Sequence, residues 1–74
     1  NIKDIRQSEI KKDIIEALSQ QGAIPREDLI RLIAQVLGFA RAGSNISIAV
    51  SNAIETLIRE NKIKDENGMI KKNE

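Results

Sequence analysis

Residues 22–46, GAIPREDLIRLIAQVLGFARAGSNI, decide the fold, because they read as a helix, a compact glycine-containing turn and the start of a second helix. Pro25 pushes Ile24 toward extended geometry and itself suits a first helical turn, where its missing N–H would have had no partner. The helix is therefore expected to begin at about Pro25, with Glu27 and Asp28 at the positive end of its dipole. Leu29, Ile33, Val36 and Leu37 make its inner stripe, Ile30 and Leu32 widen it, and Arg26, Arg31 and Gln35 are expected outside. Gly38 closes the helix, and Phe39, the sole aromatic residue, falls in the turn beyond it. An isolated aromatic there is expected to plug the core rather than stack on a base, since stacking sites in single-strand binders come in groups. Ser44 is expected to cap the next helix, its hydroxyl accepting from the N–H of Ile46 or Ser47. This is the outline of a helix-turn-helix.

Working outward, Ile10, Ile14, Ala17 and Leu18 recur at spacings of three and four between Ser8 and Gln21, flanked by Lys11, Lys12, Asp13 and Glu16. Asp4 and Ser8 are both competent to cap this first helix, and Gly22 fits the left-handed position that ends it. Downstream, Ile46, Ala49, Val50, Ala53, Ile54, Leu57 and Ile58 give a third helix its inner face. The outer face carries Asn45, Ser47, Ile48, Ser51, Asn52, Glu55 and Arg59. Residues 62–72, KIKDENGMIKK, read as a hairpin around Asn67-Gly68, the favoured pair for a type I′ turn. That turn places Ile63 and Ile70 on one face and Lys64 and Lys71 on the other, whereas a wider turn through Asp65 and Glu66 would change the register. Ala23 and Ile24 are too short for a strand alone but are able to pair with the hairpin and complete a small sheet. The fold class expected is mainly α within α+β: a winged helix-turn-helix of three helices with a C-terminal β-hairpin, its core spanning about residues 8–72.

Seventy-four residues bound one lean domain, expected to be a piece of a longer polypeptide since the chain opens on Asn1. No cysteine and no histidine means no disulfide, thiolate, imidazole base or soft metal ligand. No apolar run approaches the roughly 20 residues needed to span a bilayer, and a cytoplasmic location is the expectation. The formal charge of +1 supplies no global basic field, so any nucleic-acid contact must be local.

Asn45, Ser47, Ser51 and Asn52 are able to hydrogen-bond base edges or phosphates from the third helix, the element that reads the major groove in winged helices. The competing reading is a solvated polar face, because Glu55 lies on it and only Arg59 offers it a positive charge, while Ile48 equally marks a protein contact. Arg41, Gly43 and Ser44 bring a cation and a tight turn to a helix amino end, where free N–H groups favour a phosphate. The alternative pairs Arg41 with Glu27 or Asp28. Lys62, Lys64, Lys71 and Lys72 would lie along a phosphate backbone, or would simply guard a strand edge against unwanted pairing. No carboxylate pair stands out for catalysis, and no spacing singles out three of them for Mg²⁺, so neither an enzyme site nor a cofactor is expected.

The pattern Gly22-x-Ile24 followed by acidic residues, Leu29, Ile33, Leu37-Gly38-Phe39 and Arg41-x-Gly43-Ser44-x-Ile46 resembles a domain near the carboxyl end of large bacterial and archaeal helicase-related proteins. Those proteins combine a superfamily I helicase with an endonuclease-like region, and the resemblance covers roughly residues 9–70. The family often has a basic residue directly after the motif serine, where this chain has Asn45, so the matching residues are Arg41, Gly43 and Ser44. The resemblance implies a setting more than a mechanism. Together these readings lead to a non-catalytic accessory module that helps a larger helicase or nuclease-like chain engage DNA through its backbone. The rival is a protein-interaction or homodimerisation module that binds no nucleic acid.

Overall fold

A strand of only two residues completes the sheet of this protein. In the computed structural model, which describes residues 7–39 and 43–73, the elements run α1 (Gln7–Gln21), β1 (Ile24–Pro25), α2 (Arg26–Val36), α3 (Ser44–Arg59), β2 (Ile63–Glu66) and β3 (Met69–Lys72). The antiparallel sheet is ordered β1-β3-β2, with Ile24 opposite Ile70 and Pro25 opposite Met69. Three helices with this small sheet make the α+β winged-helix-like layout expected from the sequence, and β2–β3 is the wing. No helix among the described residues is long and apolar enough to cross a membrane.

The turns follow from the residues able to adopt left-handed backbone. Asn67 and Gly68 have φ of 56° and 86°, and the pairing of Glu66 with Met69 leaves them as a two-residue type I′ turn, so the wider turn does not form. The Gly68 N–H also donates to Asp65 Oδ1 at 2.9 Å, fixing the turn from one strand. Gly38, at φ 94°, ends α2 by donating to the carbonyl of Gln35 at 3.0 Å, while the Phe39 N–H donates to that of Ala34 at 2.9 Å. These paired bonds satisfy carbonyls that the helix end would leave open. Phe39 is half-buried and packs against the core, as a plug would.

The core is entirely aliphatic. Ile10, Ile14 and Leu18 of α1, Leu29 and Ile33 of α2, five residues of α3, and Ile24, Ile63 and Ile70 of the sheet are all buried, and no polar side chain is buried among the described residues. Fully burying each Ile or Leu is worth about 1.5–3 kcal/mol against exposure, and eleven of the fifteen buried core residues are Ile or Leu, so many small contributions stand in for buried aromatic anchors. Ile63 and Ile70 reach this core from one face of the hairpin, leaving Lys64 and Lys71 on the other, as the turn dictated.

Four local expectations are corrected. Val36 is 58% exposed and Ala34 is fully buried instead. Leu29, Ile33 and Ala34 form the buried line of the helix with Ile30, Leu32 and Leu37 partly buried beside it, and Val36 borders a small groove against Gln20 and Gln21 of α1. Ser44 is not the cap of α3. Gly43, extended at φ −74° and ψ 176°, takes that position, and its carbonyl accepts from the Ser47 N–H at 2.9 Å; Ser44 stands one residue inside and caps nothing with its side chain. Pro25 likewise is the residue before α2 rather than its first helical residue, because its ψ of 140° is extended and it belongs to β1. Ser8 lies within α1 rather than capping it, and Asp4 falls outside the described residues.

Candidate nucleic-acid interface

Burial of Ile46, Val50, Ala53, Ile54 and Leu57 fixes the rotation of α3 and turns Asn45, Ile48, Asn52, Glu55 and Arg59 outward. Asn45 and Asn52 are therefore available as bifunctional amides on an exposed face, with Ile48 59% exposed between them. Ser47 and Ser51 lie at the flank of this face and are half-buried. Ser47 lines a shallow groove of about 300 Å³ with Glu27, Ile30 and Arg31 of α2.

Ser51 has a partner that the sequence did not disclose. Arg26 Nη2 donates to Ser51 Oγ at 2.9 Å and lies 2.8 Å from Glu55 Oε2, while Arg26 Nη1 is 3.8 Å from Asp65 Oδ2. The Arg26 backbone N–H also donates to the Gly68 carbonyl at 2.9 Å. One residue thus joins the start of α2, the flank of α3 and the wing. The side chain expected outside is only 28% exposed. A weak signal was present: an arginine in a helix's first turn opposes the dipole and is best tolerated where carboxylates from elsewhere meet it. The spacing of Ser51 and Glu55, one helical turn apart, supplies such a receptor.

The amino end of α3 is built differently. Its cap residue Gly43 makes no side-chain bond, and the first turn carries no acidic residue. Gly43, Ser44 and Asn45 are all exposed, at the positive end of the helix dipole. Arg41, the cation expected here, lies outside the described residues.

The wing lysines are matched to carboxylates. Lys64 and Lys71 both engage Glu66, Lys64 at 4.0 Å, and Lys62 lies 3.8 Å from Glu60 Oε1. The Lys71 hydrogen bond, then the charges of Lys64 and Lys71, hold the exposed Glu66 carboxyl below its ordinary pKa. Lys72, opposite Ile63 in the register, belongs to the inner edge of the hairpin. The structure therefore brings Asn45, Ser47, Ser51 and Asn52 onto α3 with Gly43 and Ser44 at its amino end, and sets Lys64 and Lys71 on the outer face of the wing. Lys62 instead lines a groove with α1.

Among the described residues, no group of three or more carboxylates is placed to hold a metal ion. The chemistry on offer is hydrogen bonding from amides, hydroxyls and backbone N–H groups, with local rather than broad positive charge. Comparison with protein-family models, with curated proteins and with solved structures finds no match to this chain.

Proposed function

We propose that this chain is a non-catalytic accessory module that engages DNA through the phosphate backbone, in the setting of a larger helicase or nuclease-like protein. The observation that carries the reading is the open amino end of α3: a glycine cap, no acidic residue in the first turn, and exposed Ser44 and Asn45 beside it. Such an end offers oriented N–H donors to a phosphate, and Arg41 precedes it by two positions in the sequence. Asn45 and Asn52 would add hydrogen bonds along the same face, with Ser47 and Ser51 at its edge, and Lys64 and Lys71 would supply the wing contact. The setting rests on the resemblance of residues 9–70 to the helicase-associated domain. A cytoplasmic location accords with that setting.

Titration of labelled duplex and single-stranded DNA at several salt concentrations tests this. Because most lysines already have carboxylate partners, only about two or three phosphates should be engaged, giving a log–log salt slope of about −2 to −3. Arg41→Ala and Lys64→Ala should each weaken binding. Absence of binding at low salt, or affinity unchanged in both variants, rejects the reading.

A protein-interaction or homodimerisation role is favoured by one specific observation, the 59% exposure of Ile48 between Asn45 and Asn52. A concentration-dependent mass in solution without DNA binding is the outcome that selects it.

A further inference from the structure

A second surface lies between α1 and the carboxyl end of α3. There a groove of about 520 Å³ has Leu57 and Ile15 as its floor and Lys11, Lys12 and Lys62 along its rim, with Glu16 beside them. Leu57 is itself a core residue and Ile15 packs against the core, so the floor is firmly placed. Two of the rim ammonium groups converge on a single carboxylate: Lys11 Nζ is 3.3 Å and Lys62 Nζ 3.8 Å from Glu60 Oε1. Lys12 is exposed and has no ion pair among the described residues. Three cations thus face two carboxylates, and Glu60 demonstrates in the molecule itself the group that Lys11 and Lys62 take.

The pairing of charge with an apolar floor selects among ligands. A phosphodiester strand would use the lysines but leave the partly exposed Ile15, packed over the buried core, without a partner. We propose that this groove docks an acidic peptide segment carrying a leucine-like anchor. Its carboxylates share Lys11 and Lys62 with Glu60 and meet Lys12, while the anchor side chain covers Ile15, beneath which Leu57 is already buried. This use of the groove is separate from the α3 face and stands whether or not DNA binds there.

The test is fluorescence anisotropy of a short, labelled glutamate-rich peptide with a central leucine pair, titrated with the whole chain. Saturable binding that weakens with salt is expected, and replacing the leucines by serine should reduce it. The double variant Lys12→Glu/Lys62→Glu should lower affinity by about tenfold or more. Lys12→Glu alone, at an exposed position, should produce a smaller fall with an unchanged melting temperature, and this keeps the result readable if loss of the Lys62–Glu60 pair destabilises the double variant. A lysine-rich peptide with the same leucines binding equally well, absence of saturable binding at low salt, or undiminished binding by Lys12→Glu would overturn the proposal. So would loss of duplex DNA binding in Lys12→Glu, which would assign the rim to nucleic acid.

Discussion

The two ends of α3 are built to opposite specifications. At its carboxyl end, Asn61 adopts φ 62°, and its N–H and that of Lys62 donate to the carbonyls of Ile58 and Leu57 at 3.0 and 2.9 Å. Glu60 collects Lys11 and Lys62, and Asn73 Nδ2 donates to the Asn61 carbonyl at 3.0 Å. Helix, wing and α1 are thereby fastened together. At the amino end, the cap is a glycine with no side-chain cap bond among the described residues. The closed end fastens elements of the domain together, whereas the proposed DNA contact lies at the end whose cap has no side chain. Five substitutions probe that separation.

The largest effect is expected at the closed end. Leu57 is 1% exposed and belongs to the core, so Leu57→Ala should cost about 2–5 kcal/mol by chemical denaturation. Asn45→Ala, at the open end, should change stability by less than about 0.5 kcal/mol. Equal costs at the two positions would erase the contrast.

Arg26 lies between these extremes, bridging α2, α3 and the wing. Arg26→Ala removes bonds to Ser51, Glu55 and Asp65, of which Glu55 is 54% exposed and strongly screened. A loss of about 1 kcal/mol is expected. Hydrogen exchange should rise first in the wing if the residue fastens it. A uniform rise across the domain would show that the bridge is not local.

How much of this was legible depends on which forces acted locally. Gly22, Gly38 and Asn67-Gly68 could be read because positive φ is a property of single residues, and all adopt it. The buried stripe of α3 could be read because only one set of its positions is continuously apolar. In α2, by contrast, two patterns at the same spacing overlap: Leu29, Leu32, Ile33, Val36 and Ile30, Ile33, Ala34, Leu37. Packing against α1 and α3 takes Leu29 from the first pattern, Ile33 from both and Ala34 from the second, so Ala34 entered the core and Val36 did not. The Arg26 bridge was illegible for a similar reason, since its partners lie 25 or more positions away and meet it only after folding. The open end of α3 was partly legible: the cap was expected at Ser44, but the side chain that would have closed that end stands one residue inside the helix.

Gly43 turns that one-residue difference into an experiment. Its φ of −74° is open to any residue, and a Cβ there would meet nothing within 4 Å. Gly43→Asp should close the amino end with a side-chain cap and a favourable charge on the dipole, raising stability by about 0.5 kcal/mol. The same carboxylate should repel phosphate, lowering duplex affinity by about fivefold. Stability gained with DNA affinity unchanged would remove the open end from the interface.

The smallest effect is expected on the wing, where Glu66 serves Lys64 and Lys71 in full contact with solvent. The Lys71 hydrogen bond and the two lysine charges lower its folded-state pKa, so the carboxylate form is favoured by folding. That contribution is therefore present above the unfolded value of about 4.3 and fades as pH falls through the lower folded value. The wild-type chain should be slightly more stable than Glu66→Gln at neutral pH, with the difference closing below the folded pKa. Side-chain NMR titration locates that pKa, and paired denaturation curves follow the difference. Neutralising Glu66 also releases Lys64 and Lys71 from their shared partner, so duplex binding should strengthen as wing stability falls. A parallel loss of both would mean that Glu66 orders the wing for its ligand instead of restraining its charge.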